Sequence, residues 1–202
     1  MGQNAYVAMI AKIFGGNVPG LGQLDQLGGL QVNSLGFNAP AAFGKRMFLG
    51  ANQVGATISN ALATVYTGLC LSNPAASGKN LYVGRVTGCL GVAATGQVVL
   101  GFISGFLAAG ITVHTTPVVP VPGFIGDPTV PVGKVDAACT LVGTPAWFEW
   151  LTSNTAANSD ASFSTDFDGS IVIPPGGYLA IGSLLAAGPA AGFAGSFEWT
   201  EI

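Results

Sequence analysis

The sequence predicts an all-β protein, an antiparallel β-sandwich carried behind an extended N-terminal arm. Three observations predict it. Half of the 202 residues are hydrophobic, yet 31 Gly and 12 Pro interrupt them, so apolar runs stay short and end in turns. Strand signals recur at intervals of 10–15 residues from position 57 onward, close to the spacing of sandwiches and barrels. The last segment, Phe193–Glu201, alternates cleanly: Phe193, Gly195, Phe197, Trp199 and Glu201 on one face, Ala194, Ser196, Glu198 and Thr200 on the other. That is the pattern of a half-buried antiparallel strand.

The chain divides into residues 1–56, an arm, and 57–202, the sandwich. The arm is rich in Gly, Asn, Gln and Pro. Leu21, Leu24, Leu27 and Leu30 recur every third residue, but Gly22, Gly28 and Gly29 each cost a helix about 1 kcal/mol. A short helix is expected over Ala5–Phe14 and extended chain over the rest, suited to lying on a neighbouring subunit. In the sandwich, eight or nine strands are expected. They are Leu62–Leu71, Leu81–Leu90, Gln97–Phe106, Cys139–Leu141, Trp147–Thr152, Phe163–Phe167, Ser170–Ile173, Tyr178–Leu184 and Phe193–Glu201. Asp168-Gly169 reads as a hairpin turn. A three-residue loop would set Phe167 opposite Ile171 and Thr165 opposite Ile173. Thr116–Pro131 holds five prolines, which central strands exclude, so it reads as a long extended loop with a contact role.

Charge bounds the function. Only 7% of the residues are charged, six Lys plus Arg against nine Asp plus Glu, where an ordinary domain has about 25%. No basic patch large enough for nucleic acid or an anionic membrane surface can be built. A surface so poor in charge is expected to be covered by other subunits. The membrane alternative rests on Val98–Val113, sixteen apolar residues. That is short of the ~20 a spanning helix needs, and the run is broken by Gly101, Gly105 and Gly110. The N-terminus lacks the basic region of a secretory signal. Cys70, Cys89 and Cys139, an odd number in apolar contexts, read as reduced, buried thiols.

No catalytic, cofactor-binding or metal-binding residue is assigned, and no cofactor is expected. His114 is the sole histidine, so any triad would need it. No acid lies near it in sequence. Asn73–Asn80 (NPAASGKN) superficially resembles a phosphate loop but lacks its first Gly and its final Ser or Thr. The cysteines form no Cys-x-x-Cys pair. Asp160, Asp166 and Asp168 are the one acidic cluster, without EF-hand spacing. Glu149 lies among Trp147, Phe148 and Trp150. Strict alternation would put Phe148 and Trp150 on one face, Trp147 and Glu149 on the other. A carbohydrate platform is the functional reading of that segment; a core face backed by an interface face is the structural one.

Tyr66–Val86 (YTGLCLSNPAASGKNLYVGRV) has a strand ending in Leu-x-Asn-Pro, a Ser-Gly-Lys-Asn-Leu turn and a second apolar strand. Together with IPPGGYLAIGS and the closing GSFEWTEI, it resembles structural proteins of tailed bacteriophages, in pieces across residues 60–202. The resemblance implies a jelly-roll-like sandwich on a virion, made in the host cytoplasm. It implies a homotrimer or higher homo-oligomer, a capsid decoration (cement) protein bridging the major capsid protein or other virion subunits. A tail or fibre component that binds a host receptor is the alternative.

Overall fold

The computed structural model describes residues 38–58, 62–91, 97–154, 162–184 and 192–202. The expected helix over Ala5–Phe14 and most of the arm lie outside them. The described chain opens with a short helix, α1 (Asn38–Phe43), followed by β1 (Met47–Ala51), β2 (Val65–Ser72), β3 (Leu81–Leu90) and β4 (Val98–Phe106). Next come β5 (His114–Val118), β6 (Val121–Pro122), β7 (Lys134–Thr140) and β8 (Ala146–Asn154). The chain closes with β9 (Ser162–Ile173), β10 (Gly177–Ser183) and β11 (Phe193–Glu201).

Two antiparallel sheets form the sandwich, in the orders β6-β1-β11-β3-β9 and β5-β7-β2-β10-β4-β8. The pairings are nested: β1 with β11, β2 with β10, β3 with β9 and β4 with β8. A long hairpin, folded over and wrapped, gives this eight-strand order, which is the jelly-roll arrangement. β5, β6 and β7 are inserted at the hairpin's closed end and extend the opposite margin of the two sheets. The main core lies between the sheets. Phe48, Leu71, Leu81, Phe102, Phe197 and Trp199 are among its fully buried side chains. Phe102 sits at the centre of an aromatic group, with ring centroids 5.7 Å from Phe148, 6.2 Å from Phe163 and 5.5 Å from Phe167. A second, smaller cluster of Tyr66, Cys70, Ile103, Cys139, Tyr178 and Ala180 is also buried.

Three sequence expectations change, while the strand expected over Gln97–Phe106 forms as β4. The sheet begins inside the expected arm, because Met47–Ala51 pairs along β11. Partners far downstream, β11 on one side and β6 on the other, make this short segment a strand. The Asp168-Gly169 hairpin does not form. Both residues have the positive φ that such a turn requires, 48° and 81°, but β9 runs straight through. Between the pairs Val83↔Ile171 and Arg85↔Asp166, residues 167–170 stand opposite Gly84 alone, so the left-handed pair makes an enlarged bulge. The partner β3 is long enough to hold both halves, which outweighs the local turn signal. Thr116–Pro131 contributes two strands rather than one loop. Pro117 and Pro122 occupy β5 and β6, the edge strands, where a missing N–H leaves no ladder bond unmade. The segment Val98–Val113 begins as β4, an interior strand of the second sheet, and no helix of the described residues is long and apolar enough to cross a membrane.

Among the described residues buried polar side chains are few, and two of them, Tyr66 and Glu201, join separate strands; Asn73 Oδ1, Asp136 Oδ1 and the Tyr178 hydroxyl are buried without a hydrogen-bond partner. β2 bulges around Gly68, whose φ is 139°. The Tyr66 ring folds back over it, so that a Cβ at 68 would come within 2.4 Å of the phenolic oxygen. That hydroxyl accepts the amides of Leu69 (2.8 Å) and Ile181 (3.2 Å) and donates its proton to one of their carbonyls. The bulge is thereby stitched to β10. Glu201, buried at the end of β11, accepts the Gly133 amide at 2.9 Å and the Trp199 indole N–H at 3.3 Å, and pairs with Lys79 at 3.3 Å.

Removing only the Tyr66 hydroxyl leaves backbone groups in β2 and β10 buried without a partner. Tyr66→Phe should lower stability by about 1–3 kcal/mol, read as a shift in the urea midpoint at unchanged slope. An unshifted midpoint would show that the stitch is energetically empty.

Candidate functional site

The only histidine finds its acid across the sheet. His114 opens β5 and stands opposite Cys139 of β7. Its Nδ1 lies 2.7 Å from Oδ2 of Asp136. The Asp136 side chain is wholly buried, while His114 keeps about a third of its surface exposed. Asp136 Oδ1 has no hydrogen-bond partner. Burial is the largest influence on this carboxyl and raises its pKa, against the opposing pull of His114 and then Lys134. Sequence reading missed Asp136 because β5 and β7 meet only after the chain has made its proline-rich excursion. The one available signal was an acid inside an otherwise apolar strand, VDAAC.

Two thiols lie close by. Cys70 pairs in register with Asp136, and Cys139 pairs with Tyr66. Both thiols are buried, but Cys89 is exposed on β3, so the expectation of three buried cysteines holds for two. Burial, then the neighbouring Cys139, pushes the Cys70 thiol well up. A nucleophilic cysteine needs the opposite shift, so Cys70 stays a protonated packing group. Burial likewise raises the Tyr66 phenol, with Cys70 and Cys139 adding to it. The histidine and carboxylate thus form a half-buried tie between an edge strand and its neighbour.

The other candidate residues fall in separate places. Asn73 is fully buried and donates to the carbonyls of Lys79 (2.8 Å) and Ile173 (2.9 Å), fixing the β2–β3 turn. The Lys79 ammonium reaches Glu201, so the lysine of the pseudo-phosphate loop has a structural partner. Asp166 pairs with Arg85, both half exposed, and Asp168 occupies the β9 bulge. Asp160 lies outside the described residues. Among the described residues no three His, Cys, Asp or Glu side chains gather as a metal site would require.

The tryptophan segment is corrected by its bulges. β8 shifts register against β4 twice, at Phe102/Ile103 and Leu100/Gly101. The first shift leaves Phe148 unpaired and reverses the alternation of the strand beyond it. Phe148 turns to stack on Phe102, whereas Trp150 stacks on Trp147, centroids 4.9 Å apart and planes 30° from parallel. Trp150 overlies Gly101, where a Cβ would come within 2.7 Å of the indole, and is half exposed. Compared with protein-family models, with curated proteins and with solved structures, the chain finds no match in any of the three.

Asp136 gives a pH test. Its folded pKa is raised, so its contribution is full below the unfolded carboxyl value of about 3.9 and is lost as pH rises through the folded value. Asp136→Asn removes that loss. As pH rises from about 4 towards about 8, urea midpoints of the variant should gain on those of the wild type until the folded value is passed, and the difference should then stay level. A difference constant across the range would contradict the burial argument.

Proposed function

We propose that this chain is a virion structural protein, a decoration (cement) subunit that bridges neighbouring shell subunits of a phage head. One observation carries the reading: the chain exposes many large apolar side chains and has few charges to keep them apart in water. Val54, Val65, Val119, Ile125 and Val130 are each 74–88% exposed, and Phe43 and Phe106 are 68% and 58% exposed. Only 7% of the residues are charged. Scattered exposed apolar residues are ordinary, but this many on a charge-poor surface fit a subunit with neighbours.

The sheet edges support the same reading. β5 and β6 carry prolines, and β8 and β9 carry bulges. Those are the devices that stop strands adding edge to edge. Contacts are therefore left to faces and loops, as an ordered shell with defined interfaces needs.

The test is copy number. In purified particles from cells expressing the gene, quantitative mass spectrometry should find the chain in a fixed, shell-like ratio to the major capsid protein. Absence from particles, or a few copies each, would reject the cement role.

A second reading, a tail or fibre component that binds a host receptor, is favoured by the half-exposed Trp150 stacked on Trp147. Open indole faces hold sugar rings and other flat apolar groups. On that reading Trp150→Ala abolishes binding to host cells or their surface glycans, while the melting temperature stays near that of the wild type. Equal binding by the two proteins would remove this reading.

A further inference from the structure

We propose that the loop tip Gly123–Gly126 of one copy inserts Phe124 and Ile125 into an apolar cleft of a second copy, between its β8 and β9, joining copies head to tail. The inference rests on the reading of the chain as a subunit of an assembly.

The cleft has a volume of about 500 Å³ and opens where the two sheets part at one margin of the sandwich. Phe106, Phe148, Ile171, Ile173 and Leu179 wall it, with hydroxyls from Ser104, Thr144 and Ser170. Among the described residues that line it, none is charged. A charged occupant would lose its hydration there with no opposite charge to offset the loss, so the cleft selects an uncharged, largely apolar group. Its size is that of sites which enclose a small molecule or a pair of large side chains.

The chain carries such a group at its other margin. Ile125 is 88% exposed, the highest value among the large hydrophobic side chains of the described residues, and Phe124 is 45% exposed. The tip is held in place before any partner arrives. Val121 and Pro122 pair with β1, and the Gly123 amide donates to Met47 (2.8 Å). The Asp127 amide closes a turn on the Phe124 carbonyl (3.0 Å), and Gly126 supplies the positive φ of 90° that the turn needs. Asp127 then pairs with Lys45 and accepts the Thr129 amide. The Lys45 ammonium and the Thr129 contacts hold its carboxyl down at about 2. The charge behind the tip is thus neutralised locally, and a tip already ordered loses little entropy on docking.

Position makes the fit intermolecular. β5 and β6 end the two sheets at one margin, and β8 and β9 end them at the other. Tip and cleft therefore lie at opposite margins of one chain. A contact between two different patches is heterologous and repeats from copy to copy, closing into a ring or continuing as a filament.

The experiment uses the full chain, with size-exclusion chromatography and light scattering. Wild type should run at three or more times the monomer mass of 20.2 kDa. Ile125→Asp, which blunts the tip, and Ser170→Lys, which places a charge in the cleft, should each run as monomers at an unchanged melting temperature. Both positions are exposed, so neither change disturbs the core. An equimolar mixture should form a 1:1 dimer and nothing larger, because one variant keeps the cleft and the other the tip. A monomeric wild type, an Ile125→Asp chain of wild-type mass, or a mixture that stays monomeric would each overturn the insertion. Ile125→Asp entering particles at wild-type copy number would overturn the insertion and leave the virion reading standing. Wild-type multimers that dissociate on Ile125→Asp but never enter particles would support the insertion and overturn the virion reading.

Discussion

Four nested antiparallel pairings hold the molecule, and every other feature is placed by them. β1 meets β11 with Met47 opposite Thr200, and β2–β10, β3–β9 and β4–β8 close inside that pair. Each ladder satisfies the backbone amides and carbonyls of strands whose side chains are too apolar to offer other partners. In a chain with so few polar side chains this constraint is severe, since a buried unpaired amide or carbonyl costs about 1–3 kcal/mol. Where the ladder fails, one polar side chain repairs it. Tyr66 serves the β2 bulge, Asn73 the turn after that strand, and Glu201 the approach to β7. These are the polar groups the fold cannot lose. The pairings are also long-range, so loop closure precedes most of the stabilising contacts and folding is expected to be slow.

Much of this was legible in the sequence, and the omissions have physical causes. β3 and β11 match their predicted bounds; alternation in Phe193–Glu201 reports one buried and one open face, whereas in Leu81–Leu90 the buried residues change phase at the Gly84 bulge, from Leu81 and Val83 to Val86 and Leu90. Met47–Ala51 was unreadable as strand, since five residues beside glycine gain that state only from β11 and β6. Asp168-Gly169 reported its backbone conformation correctly and its consequence wrongly: two left-handed residues permit a turn or a bulge, and the distant strand β3 decides. The tryptophans were misplaced for the same kind of reason, as a single bulge at Phe148 reverses the phase of alternation. Asp136 was invisible as a partner of His114 because strand pairing, not sequence proximity, joins them.

Charge poverty and edge protection bear on assembly together. An apolar surface without protected edges would invite indiscriminate strand addition. Prolines in β5 and β6 and bulges in β8 and β9 close that route, leaving faces, loop tips and the inter-sheet cleft for contacts of defined geometry. His114 and Asp136 tie β5, the start of the proline-rich excursion, to the sheet, and Lys45 and Asp127 tie down its tip. The excursion is therefore a fixed projection of the sandwich and suits a subunit that must present the same surface at every position.

If neighbours cover the exposed apolar side chains, those side chains must change their access to solvent on assembly. Hydroxyl-radical footprinting of the chain, once within intact particles and once isolated at high dilution, reads that change residue by residue. Val119, Ile125 and Val130 should be labelled in the isolated chain and protected in particles, while the buried Phe102 and Trp199 stay unlabelled in both. Equal labelling of Val119, Ile125 and Val130 in the two states would show that no neighbour covers them.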